Sequence, residues 1–190
     1  MRPTIAYKTA LAEATRHHAN SKTYSGRFLR PHKPFLTELI GRLGVRSILD
    51  YGCGKGEQYR WVDPADGLTL EQAWNCEVAK YDPAYPPFAA EPQGQFDLVI
   101  CTYVLGGIPI TDHPWVLERL HGYATKVVFI AERLGPIKKK VHGRRDGFLN
   151  ASHATEWLDL IAPRTRDGVE THLAIRYASK IGKFTGRFQL

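Results

Sequence analysis

Two apolar patterns alternate along the chain, and together they predict the order of its elements. In residues 34–43 the apolar side chains recur at helical spacing, and Gly44 follows as a stop signal. Residues 96–101 are instead almost continuously apolar, as in a strand buried on both faces of a sheet. The two patterns predict helices over 5–20, 34–43, 57–62, 69–74, 112–123 and 152–161, and strands over 46–50, 77–81, 96–101, 126–131, 172–178 and 183–189.

The alternation of strands with helices predicts an α/β fold with a mostly parallel sheet. Only a short turn at 179–182 separates the last two strands, which is too short for a parallel crossover. We therefore expect an antiparallel hairpin at the end of the sheet. Four prolines within residues 83–95 exclude a regular helix and strand there. Thr111 or Asp112 is expected to cap the helix that follows the third strand.

The length of 190 residues suits one domain. We expect residues 1–190 to fold as a single unit, with N-terminal helices and a candidate lid at 1–44 and a core at 45–190. No apolar run approaches the roughly 20 residues of a membrane span, and no apolar signal core follows the N-terminus. The three cysteines are widely spaced and suit neither a disulfide framework nor a metal cluster. A cytoplasmic protein without metal or membrane partner is the expectation, and the oligomeric state is left open.

The net charge of +7 permits attraction to phosphate-rich partners. Basic residues are spread along the chain, with local concentrations at 27–33, 138–140, 144–145 and 180–187. Either a solvated basic surface or a nucleic-acid-binding face accounts for this pattern, and both interpretations remain open.

Residues 47–56 are the most informative part of the chain. A short apolar strand ends at Asp50, and glycines follow at positions 52, 54 and 56. A backbone with almost no side chains can bring its N–H groups close to a ligand, as in strand-to-helix turns that bind nucleotides and adenosine cofactors. The spacing is D-x-G-x-G-x-G, which matches neither the dinucleotide fingerprint nor the phosphate loop.

This motif resembles the first motif of class I S-adenosylmethionine (SAM) dependent methyltransferases. Two further segments in the same order strengthen the resemblance: Tyr81-Asp82-Pro83-Ala84 and Phe96-Asp97-Leu98-Val99-Ile100-Cys101. The motifs span roughly residues 45–132, and they are similar to a set of bacterial and phage methyltransferase-like proteins. In those, the strand that corresponds to residues 96–101 here (the fourth in the family's numbering) is typically followed by Asp-Val-Leu-Glu-His-Ile. Here the chain has Tyr103-Val104-Leu105-Gly106-Gly107-Ile108, which puts methyl transfer, though not SAM binding, in question.

The resemblance implies a Rossmann-like sheet and a SAM site at the carboxyl ends of its strands. Asp82 lies at such an end, where a carboxylate can accept both ribose hydroxyls. The proline-rich segment after it is expected to form a rigid wall, with Tyr85 or Phe88 packing nearby. The cofactor-binding residues that the resemblance implies are Asp50, Gly52, Gly54, Gly56, Tyr81, Asp82 and Thr102.

A nitrogen or oxygen acceptor must lose a proton during methyl transfer, so a general base can assist. Tyr103 and His153 are the first candidates, because both follow strands at their carboxyl ends. Tyr103 is equally suited to pack against the cofactor, and His153 to cap a helix. Two weaker candidates have simpler explanations: His113 as a solvated residue of a first helical turn, and Asp146 as part of a turn.

The leading functional prediction is a transferase that moves the methyl group of SAM to a small molecule. A nucleic-acid methyltransferase is the first alternative, with Tyr24, Arg27, Phe28 and Arg30 as its stacking and phosphate surface. Residues 21–31 could equally be a lid over the cofactor, with Tyr24, Arg27 and Phe28 facing it, or a solvated loop. Two further functional alternatives remain. One is intramolecular chemistry on SAM that releases methylthioadenosine, and the other is a SAM-binding regulator without catalysis.

Overall fold

The computed structural model describes residues 2–19, 24–134, 167–178 and 183–189. They form four helices and six strands, joined by several single 3₁₀ turns. In chain order the elements are α1 (Ile5–His18), α2 (Lys33–Leu43), β1 (Ser47–Tyr51), α3 (Leu70–Trp74), β2 (Glu77–Tyr81), β3 (Phe96–Thr102), α4 (His113–Tyr123), β4 (Ala124–Leu134), β5 (Glu170–Ala178) and β6 (Lys183–Gln189).

The strands form one sheet in the order β2-β1-β3-β4-β5-β6. Strands β1 to β5 run parallel, and β6 pairs with β5 in the antiparallel sense. The predictions of a Rossmann-like α/β fold and of a closing antiparallel hairpin are therefore confirmed. The register aligns Tyr51 with Tyr81, and Thr102 with Ala131, so the carboxyl ends of the first four strands meet at one edge.

Two apolar clusters cover the two faces of the sheet, because successive strand side chains point to opposite sides. On one face α4 packs against the side chains of Leu49, Val99 and Val128. On the other, α2 and α3 pack against those of Ile48 and Phe129. Since both faces are buried, the strands have the continuous apolar character seen in the sequence.

Two local predictions are wrong. Residues 57–62 do not form an α-helix, because the chain makes a single 3₁₀ turn at Glu57–Tyr59 and then leaves it. Asp112 precedes α4 but makes no side-chain cap, because its carboxylate accepts hydrogen bonds from the backbone and hydroxyl of Thr4. The predicted helix at 152–161 lies outside the described residues.

Among the described residues, none of the helices combines the length and the apolar character that a membrane span would need.

Candidate active site

A cavity of about 140 Å³ opens at the carboxyl ends of β1, β2 and β3. The loops that follow these strands form its floor, defined here as residues 51–54, 82–84 and 102–108. Helix α1 and residues 24–28 cover it and are called the roof. Most of the lining is apolar or aromatic. The floor contributes Tyr51, Gly52, Cys53, Gly54, Asp82, Pro83, Ala84, Thr102, Tyr103, Val104, Gly107 and Ile108, the roof Tyr7, Ala10, Leu11, Ala14, His18, Tyr24, Gly26 and Phe28, and Gln58 lies between them.

The backbone amides of the glycine loop are all bonded within the protein. Gly52 and Cys53 donate to the carbonyl oxygen of Tyr81, at 2.7 and 3.1 Å. Gly54 donates to Oδ2 of Asp82 at 2.9 Å. Gly56 donates to Cys53, and the amides of residues 55, 57 and 58 donate to the carbonyls of residues 24, 25 and 26. The expectation that these amides face a ligand is therefore wrong, and the loop forms no anion cradle.

The glycines are required by close packing inside the protein. Gly52 and Gly54 have φ values of +83° and +60°, a region that other residues rarely adopt. A Cβ atom at Gly54 would lie 2.5 Å from the carbonyl oxygen of Tyr24, and one at Gly52 would lie 2.2 Å from Cγ2 of Val104. Only glycine allows the floor to approach these neighbours so closely. Gly56 also has a positive φ, packs against Phe88 and does not line the cavity.

Asp50 lies behind the loop and does not line the cavity. Its side chain is fully buried, and its Oδ2 accepts hydrogen bonds from Gln58 Nε2 at 2.7 Å and the Tyr59 hydroxyl at 2.8 Å. Burial raises the pKa of Asp50 to about 6, although these two bonds act in the opposite direction. In this position Asp50 organises the turn that supports the floor, and contact with a ligand would be indirect.

Asp82 is the carboxylate that lines the cavity. Its Oδ2 accepts the amide of Gly54 and its Oδ1 that of Ala84, each at 2.9 Å. An ionised carboxylate has about four acceptor positions, so two remain for other donors. Burial raises the pKa of Asp82, while these amides favour the ionised form. Tyr81 does not line the cavity; its carbonyl supports the loop, and its hydroxyl donates to Glu91.

Thr102 and Tyr103 form the floor after β3, as the sequence predicts. Tyr103 has a φ of +58°, its amide donates to the Ala131 carbonyl at 2.8 Å, and its ring lies 5.0 Å from that of Phe28. Left-handed backbone at an aromatic residue costs free energy and is concentrated at functional sites. The structure thus favours Tyr103 as a functional residue.

His113, a weaker catalytic candidate, does not line the described part of the cavity. His113 is buried and not solvated as expected; its Nε2 lies 2.9 and 3.0 Å from the carbonyl oxygens of Leu105 and Ile108. Burial lowers the pKa of His113. It supports the turn below the floor. His153 and Asp146 lie outside the described residues.

Helix α1 places one face over the cavity. The contacting residues recur at helical spacing, and the two in the middle are small: Ala10 and Ala14. At its first turn the helix is fixed to the start of α4 by the bonds between Thr4 and Asp112. The ring of Tyr7 also packs edge-on against that of Trp115, with centroids 5.0 Å apart. The helix was predicted from the sequence, but its place over the site was not.

The rest of the roof is fastened to the glycine loop. Besides the three carbonyl contacts of residues 24–26, the amide of Leu29 donates to Oε1 of Gln58 at 3.0 Å. Tyr24 and Phe28 line the cavity, as expected for a lid segment. Arg27 does not; its guanidinium pairs with Glu57 at 2.5 Å on the surface.

His18, at the end of α1, is a site residue that the sequence did not reveal. Its ring stacks between those of Tyr24 and Tyr85, at centroid distances of 4.8 and 5.2 Å. Its Nε2 lies 3.6 Å from Oδ2 of Asp82. Burial lowers the pKa of His18, and Asp82 acts in the opposite direction. Its only signal in the sequence is its helical spacing from Tyr7, Leu11 and Ala14.

A family model described as a methyltransferase domain matches residues 17–163, well over half of the chain. The chain belongs to the methyltransferase domain family. Neither the curated proteins nor the solved structures contain a significant match. The protein is therefore a SAM-dependent methyltransferase, and the family implies the use of SAM.

The residues of this methyltransferase fit SAM better than they fit a phosphate-bearing cofactor. SAM carries ribose hydroxyls and a cationic sulfur, and it has no phosphate. The Asp82 carboxylate can accept hydroxyl hydrogens, and the aromatic walls suit both the adenine ring and a cation. A pyrophosphate would need free loop amides, and those of residues 52–58 already have partners.

Proposed function

We propose that this methyltransferase transfers the methyl group of SAM to a small molecule bound beside the cofactor. The observation that carries the proposal is the roof. Helix α1 and residues 24–28 lie across the strand ends where cofactor and acceptor are expected to meet. The helix is bonded to Asp112 before α4, and residues 24–26 are bonded to the glycine loop. An acceptor must fit beneath this cover. A base within a large nucleic acid would have to be extruded and inserted under it.

The basic segment beside the roof gives little support to a nucleic-acid surface. Arg27 pairs with Glu57, and the guanidinium of Arg30 lies over the ring of Trp61, 4.7 Å from its centroid. Lys33 is buried, with its ammonium 2.7 and 2.6 Å from the carboxylates of Asp63 and Asp66. These side chains contribute to internal contacts, so the net charge of the chain overstates their attraction for phosphate.

Within the proposed reaction, Asp82 binds the ribose of SAM through hydrogen bonds, and Tyr103 contacts the acceptor. Bound SAM supplies an electrophilic methyl group on a positively charged sulfur. The backbone of Tyr103 is fixed at the end of β3, which supports a role for its side chain in orienting an acceptor or, as the phenolate, in taking up the acceptor's proton. Removal of the hydroxyl in Tyr103→Phe should lower turnover while the affinity for SAM stays intact. Full activity would remove Tyr103 from the mechanism. His153 stays a prediction.

The acceptor class can be tested with methyl-labelled SAM. The purified protein is incubated in parallel with a small-molecule cell extract, with total RNA and with DNA. We expect label in the small-molecule fraction, together with S-adenosylhomocysteine as the second product. Label in either nucleic acid instead would overturn the proposal.

A second candidate is intramolecular chemistry on SAM itself. At positions 103, 106 and 107 this chain has Tyr103, Gly106 and Gly107, where the similar bacterial and phage sequences have Asp, Glu and His, and of these three Tyr103 and Gly107 line the cavity. A reaction without a second substrate would need fewer polar groups there. Incubation with SAM alone separates the two candidates, since release of methylthioadenosine would support this route and intact SAM would exclude it.

The cytoplasm is the proposed location. The described structure has free thiols at Cys53, Cys76 and Cys101, the first and last of them buried, and unpaired cysteines suit a reducing compartment.

A further inference from the structure

We propose that His18 is a second ribose contact in the SAM site. Its imidazole donates a hydrogen bond to the same ribose hydroxyl group from which the Asp82 carboxylate accepts one. The inference rests on the proposed use of SAM, and it assigns a ligand contact to the roof. The carboxylate of Asp82 and the imidazole of His18 come from opposite sides of the cavity. Both residues line it.

The distance between the two groups supports a shared ligand. Nε2 of His18 and Oδ2 of Asp82 are 3.6 Å apart, which is too long for a direct hydrogen bond. Two atoms at this spacing can both lie within hydrogen-bond reach of one oxygen atom between them. A hydroxyl group is suited to that position, because it donates to the carboxylate and accepts from the imidazole N–H.

The imidazole is held in place without satisfying its own hydrogen-bonding groups. His18 is only 6% exposed, and among the described residues its Nδ1 has no hydrogen-bond partner. A buried polar atom without a partner costs about 1–3 kcal/mol. The rings of Tyr24 and Tyr85 on its two faces fix the plane of the imidazole. Stacking thus fixes the ring with its Nε2 toward the Asp82 carboxylate but not bonded to it, and this geometry is what supports a ligand between the two.

The position also explains why the roof closes over Asp82. The carboxylate already accepts the amides of Gly54 and Ala84, both from the floor. His18 is the group from α1 that reaches its open side. A ribose hydroxyl between the two would connect floor and roof, so cofactor binding would fix the end of α1 that lies farther from the Thr4 anchor.

The test is calorimetric titration with S-adenosylhomocysteine and with its 2′-deoxy and 3′-deoxy analogues. His18→Phe keeps a ring between Tyr24 and Tyr85 but removes both nitrogens. The neighbouring and exposed His17 supplies the control, His17→Phe. We expect His18→Phe to bind S-adenosylhomocysteine about tenfold more weakly. It should bind the analogue that lacks the bridging hydroxyl as well as the wild-type protein does.

An equal loss for all three ligands, or no loss, would overturn the ribose contact and leave the proposed function intact. Failure of the wild-type protein to bind S-adenosylhomocysteine would overturn both. If His18→Phe does not fold, histidine nitrogen NMR of the wild-type protein gives the answer. Addition of S-adenosylhomocysteine should shift the Nε2 resonance of one buried histidine, and unchanged resonances of all the buried histidines would contradict the contact.

Discussion

The floor and the roof line the same cavity but are built in different ways. The floor consists of strand ends in a buried parallel sheet, and every amide of its glycine loop is bonded within the protein. The roof consists of a helix and a short segment that lie on top of the sheet edge. Its contacts are a few hydrogen bonds at Thr4 and residues 24–29, and ring packing at Tyr7 and His18.

This difference indicates that the floor and the roof have different roles in ligand binding. The floor fixes Asp82 and Tyr103 before a ligand arrives, which lowers the cost of orienting the reactants. The roof is held by a few hydrogen bonds and ring contacts, and regions of that kind open at lower free energy than a packed sheet. Entry and release of a ligand are therefore expected through movement of the roof.

The largest effect is expected where floor and roof touch most closely. In Gly54→Ala the new Cβ would lie 2.5 Å from the Tyr24 carbonyl oxygen, at a φ of +60°. We expect a loss of stability on the order of 3 kcal/mol and loss of SAM binding. Gly41→Ala is the control, because nothing lies within 4 Å of its Cβ and it is inside a helix. It should stabilise the protein by about 0.5–1 kcal/mol, as measured by urea unfolding. Equal behaviour of the two variants would contradict the close contact.

A second effect distinguishes Asp50, which lies behind the floor, from Asp82, which lines the cavity. Because the pKa of Asp50 is raised to about 6 in the folded protein, ionisation of this residue opposes folding. Its contribution to stability should be highest below its unfolded value of 3.8 and should fall by about 3 kcal/mol as the pH rises to about 6. Asp50→Asn should remove this dependence.

The measurement is the free energy of unfolding of both proteins between pH 4.5 and 6.5. Its lower limit is set by Glu170, whose pKa is lowered to about 2 by its bonds with Arg42 and His172. The stability that Glu170 contributes is lost as the pH falls below about 4.5, outside this range. A parallel pH dependence in the two proteins would show that Asp50 is not the titrating group.

Asp82→Asn tests the carboxylate that faces the cavity. The substitution removes the charge but leaves an oxygen for one of the two floor amides, so SAM should bind at least about tenfold more weakly. Asp97→Asn is a matched control at the opposite edge of the sheet. Asp97 accepts the amide of Arg46 and pairs with Lys126, so its loss should change stability and not affinity. Unchanged affinity in Asp82→Asn would remove Asp82 from the site.

The smallest expected effect tests the roof. Ala14→Leu adds a side chain to the face of α1 that lines the cavity, whereas Ala12→Leu adds the same atoms to its exposed face. Both residue types favour helix, so the helix itself should be unaffected. We expect about tenfold weaker binding of SAM for Ala14→Leu, from loss of space, and no change for Ala12→Leu. Equal affinities would place the ligand elsewhere.

Most of the floor could be predicted from the sequence, because it follows from local rules. The alternation of apolar runs gave β2 with the bounds that the structure has, and β1 within one residue. Asp82 and Tyr103 follow strands, and parallel strand ends meet at one edge. The role of the glycine amides was not predictable, since it depends on carbonyls of residues 24–26, about thirty positions earlier.

Residues 24–28 of the roof were predicted as a lid, but the position of α1 over the cavity was not. The face of α1 over the cavity is largely apolar, and such a face predicts that a helix packs against the protein but not which surface it covers. His113 shows the same limit. Its position in a first helical turn predicts exposure, but the ring is buried, with its Nε2 within 3.0 Å of the carbonyl oxygens of Leu105 and Ile108 in the preceding turn. In both cases the outcome depends on how neighbouring segments pack in space, which the residue pattern of the helix alone does not indicate.

The central claim is that SAM binds between this floor and this roof, and hydrogen–deuterium exchange tests both at once. The full chain is measured with and without saturating S-adenosylhomocysteine. Since the amides of residues 52–58 are already bonded, they should change little. Residues 5–18 and 24–29 should become clearly more protected. Protection confined to other parts of the chain, or none at all, would contradict the account.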